Sequence, residues 1–179
     1  MLKHLSAALL LAVTLAGCTK SDDASDANVL SSNDFDHLEG WAGDLPSLNT
    51  LSKVKAHSGL YSTSVRPGID YSLGYSTILS KITSSRPQKL TIKAWVMLPG
   101  EQANSRIITE IKDPDKPNLL YDAFELRTVV KKYNEWQQVE HTIAVPSTVS
   151  ANSRLLVYLW RADSNEPVYL DDMQIIQPK

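Results

Sequence analysis

The chain has one cysteine, Cys18, in 179 residues, so no disulfide closes within it and the fold must hold through its core or a metal. Charge of one sign is also scarce. Eighteen lysines and arginines against 20 acids leave a net charge of −2, with no basic cluster. That excludes a nucleic-acid partner, whose phosphates need a positive face. No long amphipathic helical pattern appears. Neither G-x-S-x-G nor H-E-x-x-H occurs, and His37, His57 and His141 lack metal-ligand spacing to one another. An enzyme is therefore not expected.

The most apolar run, MLKHLSAALLLAVTLAG, falls short of the roughly 20 residues a spanning helix needs. Its basic start at Lys3, apolar stretch and small-residue end have the layout of a secretory signal over residues 1–17. Leu15-Ala16-Gly17-Cys18 resembles the lipobox of bacterial lipoproteins. That resemblance implies cleavage before Cys18 and acylation there, palmitate included. Residues 18–32 are polar and acidic, as a flexible tether is. Within them Lys20, Asp22 and Asp23 are similar to the surface-export signal of Bacteroidota lipoproteins. The implied location is a lipid anchor in the outer membrane, facing the cell surface or otherwise the periplasm.

From Asn33 the periodicity is two. In KLTIKAWVMLPG, Leu90, Ile92, Ala94, Val96 and Leu98 share one face, and Thr91, Lys93, Trp95 and Met97 the other, before Pro99-Gly100 stops the run. Similar segments fall at 48–56, 60–66, 71–82, 105–112, 119–130, 136–145, 154–162 and 167–176, separated by turn-forming strings such as DPDKPN and RADSNEP. About nine strands at this spacing predict an all-β, antiparallel sandwich as one domain over 33–179.

Four signatures occur in order along that domain: NDFD (33–36) followed by Trp41, AHSGLYS (56–62), WQQVEHTIAVP (136–146) and VYLDDMQI (168–175). Their order and spacing resemble the carbohydrate-binding-module-like, galactose-binding-like jelly rolls of bacterial glycan-degrading enzymes and lipoproteins. The resemblance implies a jelly roll that binds polysaccharide or oligosaccharide without catalysis. It also implies a structural calcium held by Asp36, the turn from His57 to Gly59, and Asp171 or Asp172. Calcium takes six to eight oxygens at about 2.3–2.6 Å, carboxylates and carbonyls together. The family pattern places glutamate where Asp36 stands, and an aspartate pair at a strand end is the alternative.

Two fragments bear on an enzyme. Glu110, Asp113 and Asp115 in EIKDPD do not make the E-x-D-x-x-E strand of jelly-roll glycosidases. FELR (124–127) matches part of an alginate-lyase motif whose other segments are absent. Asp171 and Asp172, as strand neighbours, point to opposite faces and cannot flank one bond.

Sugar binding needs aromatic faces and a few fixed polar groups. Four tryptophans and seven tyrosines are available, and the candidates are Trp41, Trp95, Tyr121, Glu125, Arg127 and Trp160. Tyr121, Ala123, Glu125 and Arg127 alternate onto one face; Trp95 lies on the polar face of its strand; Trp160 shares a face with Tyr158. Trp136 reads as core. The rival expectation is a structural module docking on an outer-membrane protein through the same aromatic face.

Overall fold

The computed structural model describes residues 29–38, 41, 47–114 and 118–179. The proposed signal segment, Cys18 and the tether as far as residue 28 lie outside the described residues. Among these, ten antiparallel strands form two sheets: β1 (Val29–Asn33), β2 (Leu51–Ser52), β3 (Ser62–Val65), β4 (Tyr75–Ile78), β5 (Lys89–Met97), β6 (Arg106–Lys112), β7 (Leu120–Glu125), β8 (Gln137–Ala144), β9 (Arg154–Trp160) and β10 (Val168–Ile176). One sheet runs β2-β3-β10-β5-β8, with β1 also on β10; the other runs β4-β9-β6-β7. No described helix is long and apolar enough to cross a membrane.

Alternation builds the core. Leu90, Ile92, Ala94 and Val96 of β5 and Val139 and Ile143 of β8 face Ile107 and Ile111 of β6 and Leu155, Val157 and Leu159 of β9, all buried. Each fully buried Leu, Ile or Val contributes about 1.5–3 kcal/mol relative to exposure, enough to hold a sandwich without a disulfide.

Two boundaries differ from expectation. Residues 29–32, expected in the tether, form β1 on β10, because Leu30 packs against the core. The segment 119–130 is not one strand. It breaks after Glu125 into a single helical turn, α1 (Leu126–Val129), where the Leu126 amide donates to the Ser105 carbonyl and the Leu126 side chain is fully buried.

Strand β10 changes partner midway. On one side it pairs with β5 along its length; on the other it pairs with β3 through Val168–Leu170 and with β1 through Asn33↔Met173 onward. The register against β5 shifts between Asp171 and Gln174, and Asp172 takes a positive φ of 46°. Asp171 is fully buried at this break. Its Oδ2 accepts the amides of His57 (2.7 Å) and Ser58 (3.2 Å), and its Oδ1 accepts that of Asp172 (2.8 Å). Across the same loop, Asp36 accepts the Leu60 amide at 2.9 Å and 3.1 Å. Its carboxylate fills the space a Cβ on Gly59 would take, 2.0 Å from Oδ2, and Gly59 has φ +54°. The turn after β1, the loop before β3 and the kink in β10 are thus tied by two carboxylates.

Burial pushes the Asp171 carboxyl up from 3.8 to about 6, against the amide bonds, which pull it down. The folded state therefore holds this proton more tightly than the unfolded chain. The Asp171 contribution to stability falls as pH rises from 3.8 to about 6 and is level outside that window. A carboxyl-carbon NMR titration should place its midpoint at about 6, and an ordinary aspartate midpoint would contradict the burial. Gly59→Ala should lower stability in urea by about 1–2 kcal/mol from the backbone alone, and an unchanged midpoint would show that Asp36 does not need the gap.

Candidate ligand-binding face

The outward side of the four-stranded sheet carries a dense set of aromatic and charged side chains. Register places Glu125, Arg106 and Trp160 in one row, which an isolated bridge between Tyr71 and Trp160 extends. The next row is Ala123, Ile108 and Tyr158; the third is Tyr121, Glu110, Leu156 and Ser76. Ile108 is fully buried yet stands outside the main core cluster, so this face has an apolar floor of its own. Tyr71 and Tyr121 stand exposed above it, at 58% and 53%.

Each ring is held. Tyr71 meets Tyr158 edge to face, centroids 5.7 Å apart, in a geometry aromatic pairs favour. Beside it, Arg161 clamps Asp70, Nε donating to Oδ1 at 2.6 Å. Gly74 lies against Tyr158: an added Cβ would meet the Tyr158 Cβ at 2.6 Å. The absent side chain helps shape a shallow groove of about 270 Å³ lined by Tyr71, Tyr75, Leu156 and Tyr158 among others. The Tyr158 hydroxyl donates to Glu110 Oε1 at 2.5 Å, and Lys112 Nζ stands 3.6 Å from Glu110 Oε2. Burial first, then the Glu110 carboxylate, raises the Tyr158 phenol above its ordinary range, so it stays a neutral donor. Arg106 lies over the Trp160 ring, 5.7 Å from its centroid.

Of the six candidate ligand residues, this face unites Tyr121, Glu125 and Trp160. Arg127 leaves the row because it sits on α1, although its Nε still donates to Glu125 Oε1 at the rim. Trp41 is a correction. It is 3% exposed, packs on Phe35 and Tyr75, and donates its indole N–H to Ser31 Oγ at 3.0 Å. Its rings are core and offer no face to a ligand.

Trp95 stands apart from this face, since it belongs to the opposite sheet, paired with Asp171 and Gln138. The His57 ring stacks on it at 3.9 Å, covering one of its faces. Trp136, read from sequence as core, is only half-buried, and the same imidazole meets it edge to face. Tyr71, Arg106, Glu110 and Gly74 were not singled out as ligand groups. The run of outward positions 106, 108 and 110 in β6 was the signal that could have found two of them.

The five residues expected to hold calcium do converge, but their donor set does not fit the ion as arranged. Asp36 and Asp171 receive backbone N–H groups from the 57–61 loop, where calcium requires oxygens. Asp172 accepts from Ser58 Oγ at 2.7 Å and meets His57 Nδ1 at 2.5 Å. Among the described residues no group of three or more His, Asp or Glu side chains is placed to hold a metal. The melting temperature should be the same in calcium and in chelator; a rise of several degrees with calcium would show that the loop turns over to present carbonyls.

No family profile matches the chain, and a search of curated proteins finds no match. Solved structures do match. The CBM22-1 xylan-binding domain of Paenibacillus barcinonensis Xyn10C is 20% identical over 86% of this chain and 97% of its own, with a TM-score of 0.54. The tandem CBM22-1-CBM22-2 domain of the same protein is 20% identical over 87% of this chain and 48% of its own, TM-score 0.58. The C-terminal family 22 carbohydrate-binding module of Clostridium thermocellum Xyn10B is 15% identical over 86% and 95%, TM-score 0.56. At these identities the likeness shows the fold: an antiparallel jelly-roll sandwich, as in those modules.

Proposed function

We propose that this domain binds glycan chains without catalysis, on the outward face of its four-stranded sheet. The observation that carries the reading is that rings and charges share the first and third rows, on either side of Tyr158. Tyr71, Tyr158 and Trp160 supply flat rings for the apolar side of sugars, while Arg106, Glu110 and Glu125 stand among them as donors and acceptors for hydroxyls. The likeness to modules described as xylan-binding supports it. Protein docking through the same face is the rival, since aromatics and arginine also mark protein interfaces.

The rest of the chain extends the proposal. Acylation at Cys18 anchors the module in the outer membrane, and the acidic tether holds it clear of the surface, keeping polysaccharide near the cell. An outer-membrane protein partner would then add to retention, since two linked modules raise each other's effective concentration.

Calorimetric titration of the folded domain with a polysaccharide panel tests the reading. Saturable binding to at least one glycan is expected. Trp160→Ala should weaken it about tenfold, equivalent to 1.4 kcal/mol, while Trp95→Ala leaves it unchanged. Loss of binding in the Trp95 variant alone, with folding intact, would move the site to the other sheet. No binding by the wild-type domain would favour protein docking.

A further inference from the structure

Resting on that reading, we infer that the face is built for acidic glycans, with Arg106 as the seat for a uronate carboxylate. The charged groups around it are spoken for. Glu125 beside it is engaged by Arg127, and Glu110 by the Tyr158 hydroxyl and Lys112. Arg106 forms no ion pair among the described residues, and its buried Nε has no hydrogen-bond partner there.

Its neighbour on the other side is the Trp160 ring, which orients the guanidinium plane without satisfying its donors. That Nε is closed to solvent, so the terminal Nη groups are the fork a ligand would meet. A planar carboxylate accepts two parallel N–H bonds from it, a match no single hydroxyl makes. A neutral hydroxyl would accept from these groups without the charge and the paired geometry of a carboxylate.

The surroundings favour the same ligand. Tyr71, on the far side of Trp160 from Arg106 in the row, is held against Tyr158 yet exposed, so it can meet the ring of the residue bearing the carboxylate. At the opposite end of β6 and β9, Lys112 stands directly across from Arg154, whose Nη1 among the described residues reaches the Ser76 hydroxyl, at 3.2 Å. These cations lie six residues along β6 from Arg106, about 20 Å at strand spacing. A chain laid along β6 would meet positive charge at both ends of the face and the Tyr158–Glu110 pair between them. The whole chain is mildly acidic, so this local bias is not a consequence of overall composition.

The test compares glucuronoxylan, polygalacturonate and alginate, each against the same polymer with its carboxyl groups reduced to alcohols, by calorimetry on the intact domain. At least one acidic polymer should bind tenfold or more tightly than its reduced form. Arg106→Met should bring the acidic form down to the reduced form. Raising salt from 50 to 500 mM should weaken wild-type binding to the acidic form only; this arm needs no variant to fold. Equal affinity for acidic and reduced forms, with no salt dependence, would overturn the uronate inference while leaving glycan binding intact. No binding to any acidic or neutral polymer would overturn the glycan reading itself, and the inference with it.

Discussion

The buried carboxylate of Asp171 is the constraint on which the six-stranded sheet depends. Strand β10 has two partners on one edge, β3 and then β1, and it must kink where one gives way to the other. A kink strands backbone amides, and unpaired buried amides are expensive. Asp171 collects three of them, two from the loop before β3 and one from its own neighbour. Asp36 repeats the device for the turn after β1. The adjacent aspartates near the end of the chain are therefore a structural splice: Asp171 holds the amides, and Asp172, itself the positive-φ residue of the bend, meets Ser58 and His57.

This splice lies in one sheet and the ligand face lies on the other. Because β10, β5 and β8 are fixed by the clasp and the core, the four-stranded sheet rests on a rigid layer, through Ile107, Ile111, Leu155 and Val157. Its outward side is free to carry rings and charges that core packing does not select. The His57–Trp95 stack on the outer side of the six-stranded sheet belongs to the splice: the same histidine that meets Asp172 also covers Trp95. Aromatic residues on the two outer surfaces thus have separate reasons to be there.

Much of the sandwich was legible because buried alternation is a strong signal. The run from Leu90 to Val96 appears as one inward face in sequence and in structure. The tether boundary was not legible, because Val29–Ser32 has only two apolar residues beside its two serines and becomes a strand by pairing with β10, a partner far away in sequence. Likewise Tyr121 and Glu125 were placed on one face by alternation alone, whereas Arg127 was misplaced because a tertiary bond from Leu126 to Ser105 ends the strand. Trp41 and Trp95 could not be sorted without knowing which sheet each belongs to. Periodicity tells inward from outward within a strand, and only topology tells one outer face from the other. Asp36, Asp171 and Asp172 stand around the 57–61 loop, and whether that loop turns its amides or its carbonyls to them is not written in its letters.

The most direct test of the account uses the four indole N–H resonances of Trp41, Trp95, Trp136 and Trp160, followed by NMR as a glycan that binds is titrated into the domain. Each reports from a different place: the core, the splice, the rim of the splice, and the four-stranded face. The account predicts that the Trp160 signal moves with saturation while Trp41 and Trp95 stay in place. Movement of Trp95 and Trp136 with a silent Trp160 would contradict it and put the ligand on the opposite sheet.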